Sequence, residues 1–477
     1  MYVKQHQSYT QYTGVAKTLV SCWKWLFKMS FLIFQGTLVH AESASQPLTI
    51  LHNHIIGVNK NKIVFIEPEG RLQELSQQHG FQLEDVQVME GQFLIPGFVD
   101  THIHAPQYVY TGTAMNLQLL EWLNKYTFPT EAKFADLEFA ADAYRKVVHR
   151  TLKNGTTTAC YFATIHKEAS LKLAEIVAHF GQRAFVGKVN MDANSPEYYV
   201  ETTEQSVKDT EWFIKQVQCL NNPLVTPIIT PRFAVSCTVT LMKKLANLAE
   251  LYGLPIQTHI SENKDEISLV KELHPECSSY TDVYQSCGLV TKKSVFAHSI
   301  YLDDKEIEVI KHHGSAVSHC PCSNFMLRSG ILDLRKLWDK GIKLGLGTDV
   351  SGGYSPSMLS SIRQSVIATN VHEMQQGAAY NSIDYKELFY LATLGGSQVL
   401  GLEDRIGNFV VGKEFDALLV NFKAAGSPFD VFNSSYSDSI EDIVQKFLFL
   451  GDDRNIQEVY VSGRKVIPTT LDSNGFF

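Results

Sequence analysis

The sequence predicts an α/β fold, in which a closed (β/α)₈ barrel of the TIM type carries a small composite β-sandwich domain built from both chain ends. Short apolar strands alternate with helical stretches eight times after residue 97, over about 250 residues, which is the size of such a barrel. Before and after this region the chain carries short β-rich runs broken by turns. We therefore expect an extension at 1–30, β-domain segments at 31–96 and 396–477, and the barrel at 97–395.

Each element follows from a run of apolar or β-branched residues bounded by turn residues. The predicted β-domain strands are Phe31–Val39, Ile50–Val58, Lys62–Ile66, Gln92–Ile95, Phe415–Asn421 and Gln457–Val466. The predicted barrel strands are Gly97–Ile103, Thr157–Ala163, Arg183–Met191, Leu224–Thr230, Pro255–His259, Ser294–Ala297, Ser315–Ser318 and Lys343–Gly347. Helical patterns between them include Leu171–Phe180, Thr240–Tyr252 and Asp304–His312. An open doubly wound sheet is the rival fold, but no Gly-x-Gly-x-x-Gly turn follows the first strand.

The net charge and the distribution of cysteines limit which binding partners and which cellular compartment are expected. The chain has 42 Lys plus Arg against 50 Asp plus Glu, a net charge of -8, which predicts neither a nucleic-acid surface nor an anionic membrane partner. A neutral small-molecule substrate remains compatible with this charge. The eight cysteines are scattered and form no dense framework, which indicates reduced thiols and a cytoplasmic protein.

The N-terminal residues need a separate interpretation. The segment Leu19–Phe34 is apolar, but Lys24 and Lys28 interrupt it, so no run approaches the ~20 apolar residues of a membrane span. Signal cleavage after Ala41 would remove Phe31–Val39, the first predicted strand. We therefore expect a dispensable extension, with Met29 as an alternative start, and a weak membrane-targeting role stays open as the other interpretation.

Polar residues stand where four of the barrel strands end, and barrel chemistry is located at the carboxyl ends of the strands. His102 and His104 end the first strand, and their spacing puts both imidazoles on one face. His259 ends the fifth strand, His298 the sixth, and Asp349 follows the eighth. A shared cation would compensate a buried carboxylate among imidazoles, and three histidines with one aspartate leave a position for water. The sequence thus predicts a catalytic zinc site.

These motifs resemble the amidohydrolase superfamily, through Pro96–His104, Thr258-His259, His298 and Thr348-Asp349. Longer stretches resemble its guanine-deaminating branch, and together they extend over roughly residues 34–467: Leu119–Leu123, Lys125–Pro129, Leu152–His166, Gly181–Lys188, Gly345–Asp349, Gly352–Ser355, Gly407–Phe409, Gly412–Ala417 and Leu450–Ile456.

The resemblance implies hydrolysis of guanine to xanthine and ammonia by a homodimer with one zinc ion per chain. The implied zinc ligands are His102, His104, His259 and Asp349. Asp349 would take the proton of the attacking water, and His298 would orient that water. Glu262, three residues after His259, would protonate a ring nitrogen and then the departing amine.

Substrate recognition is expected from Gln107 and Arg232. Gln107 lies three residues after His104, and its amide can both donate to and accept from a purine edge. The resemblance implies that the Arg232 guanidinium faces O6 of guanine, while Phe233 packs near the ring. It also includes His104, His259, Glu262 and Asp349 among the groups that contact substrate.

Several alternatives stay open at this point. A related barrel enzyme could act on another amino-heterocycle, such as a pterin or a triazine, and a cytoskeletal scaffold role could be added to the enzyme. Cys320 and Cys322 are too close for the cysteine pair of cytidine-deaminase-type zinc enzymes, and Cys322 stands where the family usually has Asn. Lys188 lies on the third strand, whereas superfamily members that bridge two metals with a carboxylated lysine carry it on the fourth.

Overall fold

A computed structural model describes residues 31–377 and 379–468 of the chain. The predictions for residues 1–30 and for the end of the C-terminal tail lie outside these described residues. The strands are β1 Phe31–His40, β2 Thr49–Asn59, β3 Lys62–Pro68, β4 Val86–Pro96, β5 Phe98–His104, β6 Thr156–Phe162, β7 Arg183–Gly187, β8 Val189–Asn190, β9 Val225–Pro227, β10 Thr230–Pro231, β11 Ile256–Ile260, β12 Ser294–His298, β13 Ala316–His319, β14 Lys343–Leu346, β15 Ala417–Asn421, β16 Ile456–Val461 and β17 Arg464–Ile467.

The α-helices alternate with the barrel strands and also occupy the segments before and after them. They are α1 Leu72–His79, α2 Leu119–Trp122, α3 Phe128–Glu131, α4 Leu137–Lys153, α5 Lys167–Phe180, α6 Thr203–Cys219, α7 Val239–Tyr252, α8 Lys264–Leu273, α9 Tyr280–Ser286, α10 Asp304–His313, α11 Pro321–Met326, α12 Leu334–Asp339, α13 Met358–Gln376, α14 Tyr385–Tyr390, α15 Gly396–Val399 and α16 Ile440–Leu450. None of the helices in the described part of the chain is both long enough and apolar enough to span a bilayer.

One seven-stranded sheet joins the two ends of the chain, in the order β17-β16-β15-β4-β1-β2-β3. The junction is the antiparallel pairing of β4 with β15, in which Pro96 faces Ala417 and Gln92 faces Asn421. Aromatic side chains from both ends then share one core: the Phe34 ring lies 5.7 Å from that of Phe415. The predicted composite β-domain therefore has its strands in a single sheet, while its exact boundaries stay predictions.

The central region contains parallel strands in two sheets of four, β5-β6-β7-β9 and β11-β12-β13-β14. A parallel bridge between Ile229 and Ile256 connects the two sheets. At the other junction the Asp349 N–H donates to the His102 carbonyl at 2.9 Å, so the last strand lies beside the first. Each predicted barrel strand has a counterpart, although the third and fourth are each divided into two short strands.

Local sequence signals explain where the outer helices begin and end. Helix α10 begins after Asp303, whose carboxylate accepts from the Glu306 N–H while the Glu306 carboxylate accepts from the Asp303 N–H. It ends at Gly314, whose φ of +68° is readily available only to glycine. Its apolar face, with Ile307 and Ile310, is buried. This alternation of capped helices and buried strands brings the strand ends together on one side.

Candidate active site

Four parallel strands bring five ionisable side chains to one point. His102 and His104 lie on β5, His259 on β11 and His298 at the end of β12, while Asp349 follows β14. The side chains are buried, with at most 9% of the residue exposed. His298 and Asp349 have φ angles of +70° and +46°, in the left-handed backbone region that residues other than glycine adopt uncommonly. The five residues predicted from the strand ends are thus brought together.

The distances between these side chains are those of groups that share a cation. The Nε2 atoms of His104 and His259 lie 3.1 Å apart. Asp349 Oδ1 lies 3.2 Å from His102 Nε2 and 3.5 Å from His104 Nε2. His259 Nδ1 is 2.7 Å from the Arg232 carbonyl, to which it donates, so its Nε2 lone pair points into the cluster. Two tetrahedral ligands at ~2.05 Å from one zinc ion would lie about 3.3 Å apart.

Electrostatics favours the protonation states that a metal requires. Burial lowers the pKa of His104 and of His259 well below the usual value, so both imidazoles are neutral. Burial alone would raise the pKa of Asp349, but the imidazoles of His102 and His298 outweigh it and keep the carboxylate ionised. His102 Nε2 and His298 Nε2 are buried without a hydrogen bond among the described residues.

This donor set fits the chemistry of a zinc ion, which takes imidazole nitrogen and carboxylate oxygen. Ligand atoms of His102, His259, His298 and Asp349 all lie within 4.8 Å of one another. His104, which the sequence analysis places among the ligands in preference to His298, also reaches this point through its contacts with His259 and Asp349. The assignment of His102, His104, His259 and Asp349 as the four ligands stays a prediction.

Glu262 lies beside His298 and lines the pocket next to the histidine cluster. Its Oε2 is 3.4 Å from His298 Nε2, and its Oε1 accepts a 3.0 Å hydrogen bond from the Ser329 hydroxyl. Burial raises the pKa of Glu262 to about 7, so this carboxyl can hold and release a proton near neutral pH. His298 is oriented from behind by the Asn324 side chain, whose Oδ1 is 2.8 Å from Nδ1.

The predicted recognition residues line the same pocket as the cluster. The lining of the pocket includes Gln107, Arg232 and Phe233 together with Glu262. Arg232 follows β10 and is 2% exposed, so it is not a surface residue. The remaining pocket wall is His104, Leu119, Trp122, Leu123, His259, His298, Leu327 and Asp349. Polar groups thus converge in a pocket with an apolar side, which is typical of small-molecule sites.

Glu131 is a site residue that the sequence analysis did not identify. It ends α3, is fully buried, and its carboxylate pairs with the Arg232 guanidinium at 2.7 Å. The segment 105–135 between the first strand and α4 contained no predicted element. A glutamate in a helical segment more often faces solvent, so the sequence pattern alone did not indicate a buried role for Glu131. The one clue was that Glu131 lies two residues after Lys125–Pro129, a stretch that resembles the family.

Lys188 and Cys322, which the sequence analysis considered in connection with other kinds of metal site, are both buried. Lys188 is buried and forms an ion pair with Glu201, while one metal ion per chain stays a prediction. Cys322 is buried within α11, and Asn324 on the same helix still contacts His298. A cysteine at position 322, where the family usually has Asn, therefore does not prevent Asn324 from reaching His298.

A family model described as the Amidohydrolase family matches residues 93–466. The chain belongs to this family. It is 52% identical over 442 residues to guanine deaminase of Mus musculus, covering 92% of this chain and 97% of that protein. It is 50% identical over 441 residues to guanine deaminase of Homo sapiens, covering 91% of this chain and 96% of that protein.

A comparison with solved structures supports the same family. A crystal structure of guanine deaminase from C. acetobutylicum with bound guanine in the active site matches with a TM-score of 0.84 and 35% identity. The match covers 91% of this chain and 100% of that chain. The family resemblance and the predicted fold class are therefore confirmed.

Proposed function

We propose that this chain catalyses the zinc-dependent hydrolytic deamination of guanine to xanthine and ammonia. The observation that carries the proposal is that one pocket contains both the histidine and aspartate cluster and the groups suited to read a purine. The identity of about 50% to guanine deaminases over nearly the whole chain supports the same substrate.

In the reaction a C2–O bond forms from water as the C2–N bond of guanine breaks. A bound zinc ion supplies Lewis-acid chemistry, which lowers the pKa of water to about 7 at such sites. The ionised Asp349 carboxylate takes one proton from the attacking water, and His298 holds the water in position. Glu262 begins protonated and gives its proton to a ring nitrogen as the water oxygen adds to C2. The resulting Glu262 carboxylate then takes the proton of the added hydroxyl and passes it to the amine, which leaves as ammonia. The proton held by Asp349 returns Glu262 to its protonated state.

The protonation state of Glu262 suits this transfer. Its pKa of about 7, raised by burial, lets the carboxyl group exchange a proton with substrate at neutral pH. The Ser329 hydrogen bond occupies Oε1, so Oε2 is the oxygen that faces His298. Glu262 therefore lies beside both the group that holds water and the pocket that holds the base.

Recognition uses the other wall of the pocket. The Arg232 guanidinium donates to O6 of guanine, Gln107 pairs with the purine edge, and Phe233 packs near the ring. A site built to hydrogen-bond a substrate group can reject an analogue without that group by about 10⁴–10⁵-fold. Adenine, which lacks the O6 acceptor, is expected to be a poor substrate.

Further features of the enzyme belong to the proposal. We infer one zinc ion per chain, a homodimer as in the family resemblance, and a cytoplasmic location. The donor set of three imidazoles and a carboxylate supports zinc. The seven cysteines within the described residues are all free, which supports a reducing compartment.

The test is metal analysis of the purified protein together with an assay of xanthine formation. We expect one zinc per chain, conversion of guanine to xanthine, loss of turnover on chelation and recovery on addition of zinc. A parallel assay with adenine, a pterin and an aminotriazine identifies the preferred substrate. Efficient turnover of one of these compounds by zinc-loaded protein that leaves guanine unchanged would overturn the proposal.

A further inference from the structure

Glu131 contacts both predicted recognition residues from behind the pocket. Its Oε1 accepts from Gln107 Nε2 at 3.0 Å and from an Arg232 nitrogen at 3.2 Å. Its Oε2 accepts from the other terminal Arg232 nitrogen at 2.7 Å and from the Tyr199 hydroxyl at 2.7 Å. Each carboxylate oxygen thus has two donors, while Glu131 itself does not line the pocket.

We propose that Glu131 is a positioning residue that sets the specificity of the pocket, by fixing the Arg232 guanidinium and the Gln107 amide in the orientation that reads guanine. This inference rests on the proposed function, since it assigns Arg232 and Gln107 to the guanine ring. Glu131 acts through these two side chains and touches no substrate atom.

The contacts of Gln107 define which way its amide points. Nε2 donates to Glu131, and Oε1 accepts a 3.2 Å hydrogen bond from the Ser351 N–H. A flipped amide would turn its oxygen toward a carboxylate and its NH₂ group toward an N–H donor, which are both repulsive arrangements. One N–H and one lone pair of the amide remain available for a purine edge.

The charge of Arg232 is compensated inside the protein. Burial alone would lower the pKa of Arg232, but Glu131 outweighs it and keeps the guanidinium charged. The Phe128 ring, one turn before Glu131, lies 5.3 Å from the guanidinium carbon. Because the ion pair is neutral overall, Arg232 offers directed N–H donors rather than an uncompensated positive charge. Such a group suits the carbonyl oxygen of a neutral base better than a carboxylate or phosphate.

The backbone of the segment 119–135 explains how one carboxylate reaches these partners. The segment is helical throughout, and a wider π-type turn at Leu123–Thr127 precedes Pro129, which has no N–H to donate. Leu119 and Leu123 face the pocket, whereas Glu131 lies behind it. The same segment thus forms the apolar wall and holds the polar groups opposite it.

The test compares guanine with 2-aminopurine, which keeps the reactive amine and lacks O6. In Glu131→Gln, kcat/KM for guanine should fall about 10- to 150-fold, the loss expected for a charge-assisted hydrogen bond. The loss should come mainly from a higher KM. The value for 2-aminopurine should fall less than the value for guanine, because that substrate uses the Gln107 amide but not the Arg232 donor.

Two further variants keep the test valid if Glu131→Gln does not fold. Glu131→Asp keeps the charge and should recover part of the guanine preference. Tyr199→Phe removes one donor to Glu131 without altering the pocket wall, and should lower the guanine preference about 2- to 10-fold, the range for a neutral hydrogen bond. Zinc content should match wild type in each variant.

The matched control is Glu414→Gln, which alters a buried carboxylate paired with another buried arginine, Arg183, that does not line the pocket. This control should leave the ratio of kcat/KM for guanine over 2-aminopurine and the KM for guanine unchanged. If the Glu131 and Tyr199 variants also leave both quantities unchanged while wild type forms xanthine, the positioning role is refuted. If wild type forms no xanthine, the proposed function itself fails.

Discussion

Two buried arginines, at different places in the barrel, make nearly the same interaction and differ in what surrounds them. Arg232 follows β10 and pairs with Glu131 beside the pocket. Arg183 begins β7 and pairs with Glu414 at 2.8 Å and Asp416 at 3.1 Å, next to the seven-stranded sheet. Both arginines are 2% exposed.

The comparison shows that burial and ion pairing do not by themselves identify a functional residue. Arg183 lies where the strand enters the barrel, and its partners Glu414 and Asp416 lie in the loop just before β15 of the β-domain. Arg232 lies where strands end, the end at which barrel enzymes hold their substrates. The Arg183 ion pairs are therefore expected to support stability, and the Arg232–Glu131 ion pair is expected to support substrate recognition.

The largest effect is expected from Glu262→Gln at the pocket end. The amide cannot carry the transferred proton, so kcat should fall about 10²–10⁴-fold, while the zinc ligands and zinc content remain. Steady-state xanthine formation and metal analysis measure the two quantities. Glu414→Gln is the control at the opposite end. Near-normal activity of the Glu262 variant would rule out its role in proton transfer.

The Arg183→Met variant should lose stability and keep its substrate kinetics. Removing the guanidinium leaves Glu414 and Asp416 buried with less compensation, so the free energy of unfolding should fall by about 3–5 kcal/mol. The KM for guanine and the preference over 2-aminopurine should stay at wild-type values. Urea unfolding and steady-state kinetics test this. A changed substrate preference would show that the two ends are coupled.

The Glu414 ion pairs also predict an acid-sensitive stability. Burial raises the pKa of Glu414, but Arg405 and Arg183 outweigh it and lower the pKa to about 2 from 4.5. The unfolded chain then binds the proton more readily, so this stabilisation is complete above about pH 5 and is lost as the pH falls toward 2. It amounts to about 1–3 kcal/mol, because solvent screening reduces the full value of the shift. Unfolding measured between pH 3 and 6 should show a smaller slope in Glu414→Gln; an identical slope would contradict the assignment.

A smaller effect on turnover than that of Glu262→Gln is expected from Arg232→Ala. Loss of the donor to O6 should lower kcat/KM for guanine about 10- to 150-fold, with much less change in zinc content. Steady-state kinetics and metal analysis of the same preparation distinguish a substrate-binding role of Arg232 from a structural one. A parallel decline of zinc content and turnover would make Arg232 a structural residue like Arg183.

The strand-end residues could be predicted because their positions follow from repeating geometry. Side chains two residues apart share a strand face, and parallel strands end at the same edge, so His102, His104, His259 and Asp349 converge once the eight strands are assigned. No knowledge of the loops is needed for this step. The family resemblance then supplied roles for Glu262 and Arg232.

The contacts behind the pocket could not be predicted in the same way. Glu131 and Arg232 are 101 residues apart, and the first lies in an irregular helical segment with no strand register to place it. Ser329 contacts Glu262 across 67 residues through a loop. Such pairs depend on loop paths, which hydrophobic periodicity does not encode.

The β4–β15 junction has a consequence for how the protein is made. Strand β4 ends at Pro96, and its partner β15 begins at Ala417, so more than three hundred residues must be synthesised before the two strands meet. Until then one edge of β4 has free backbone groups that can pair with another nascent chain. A ribosome that stalls within the barrel would therefore leave this edge of β4 unpaired, because the partner strand Ala417–Asn421 has not yet been made.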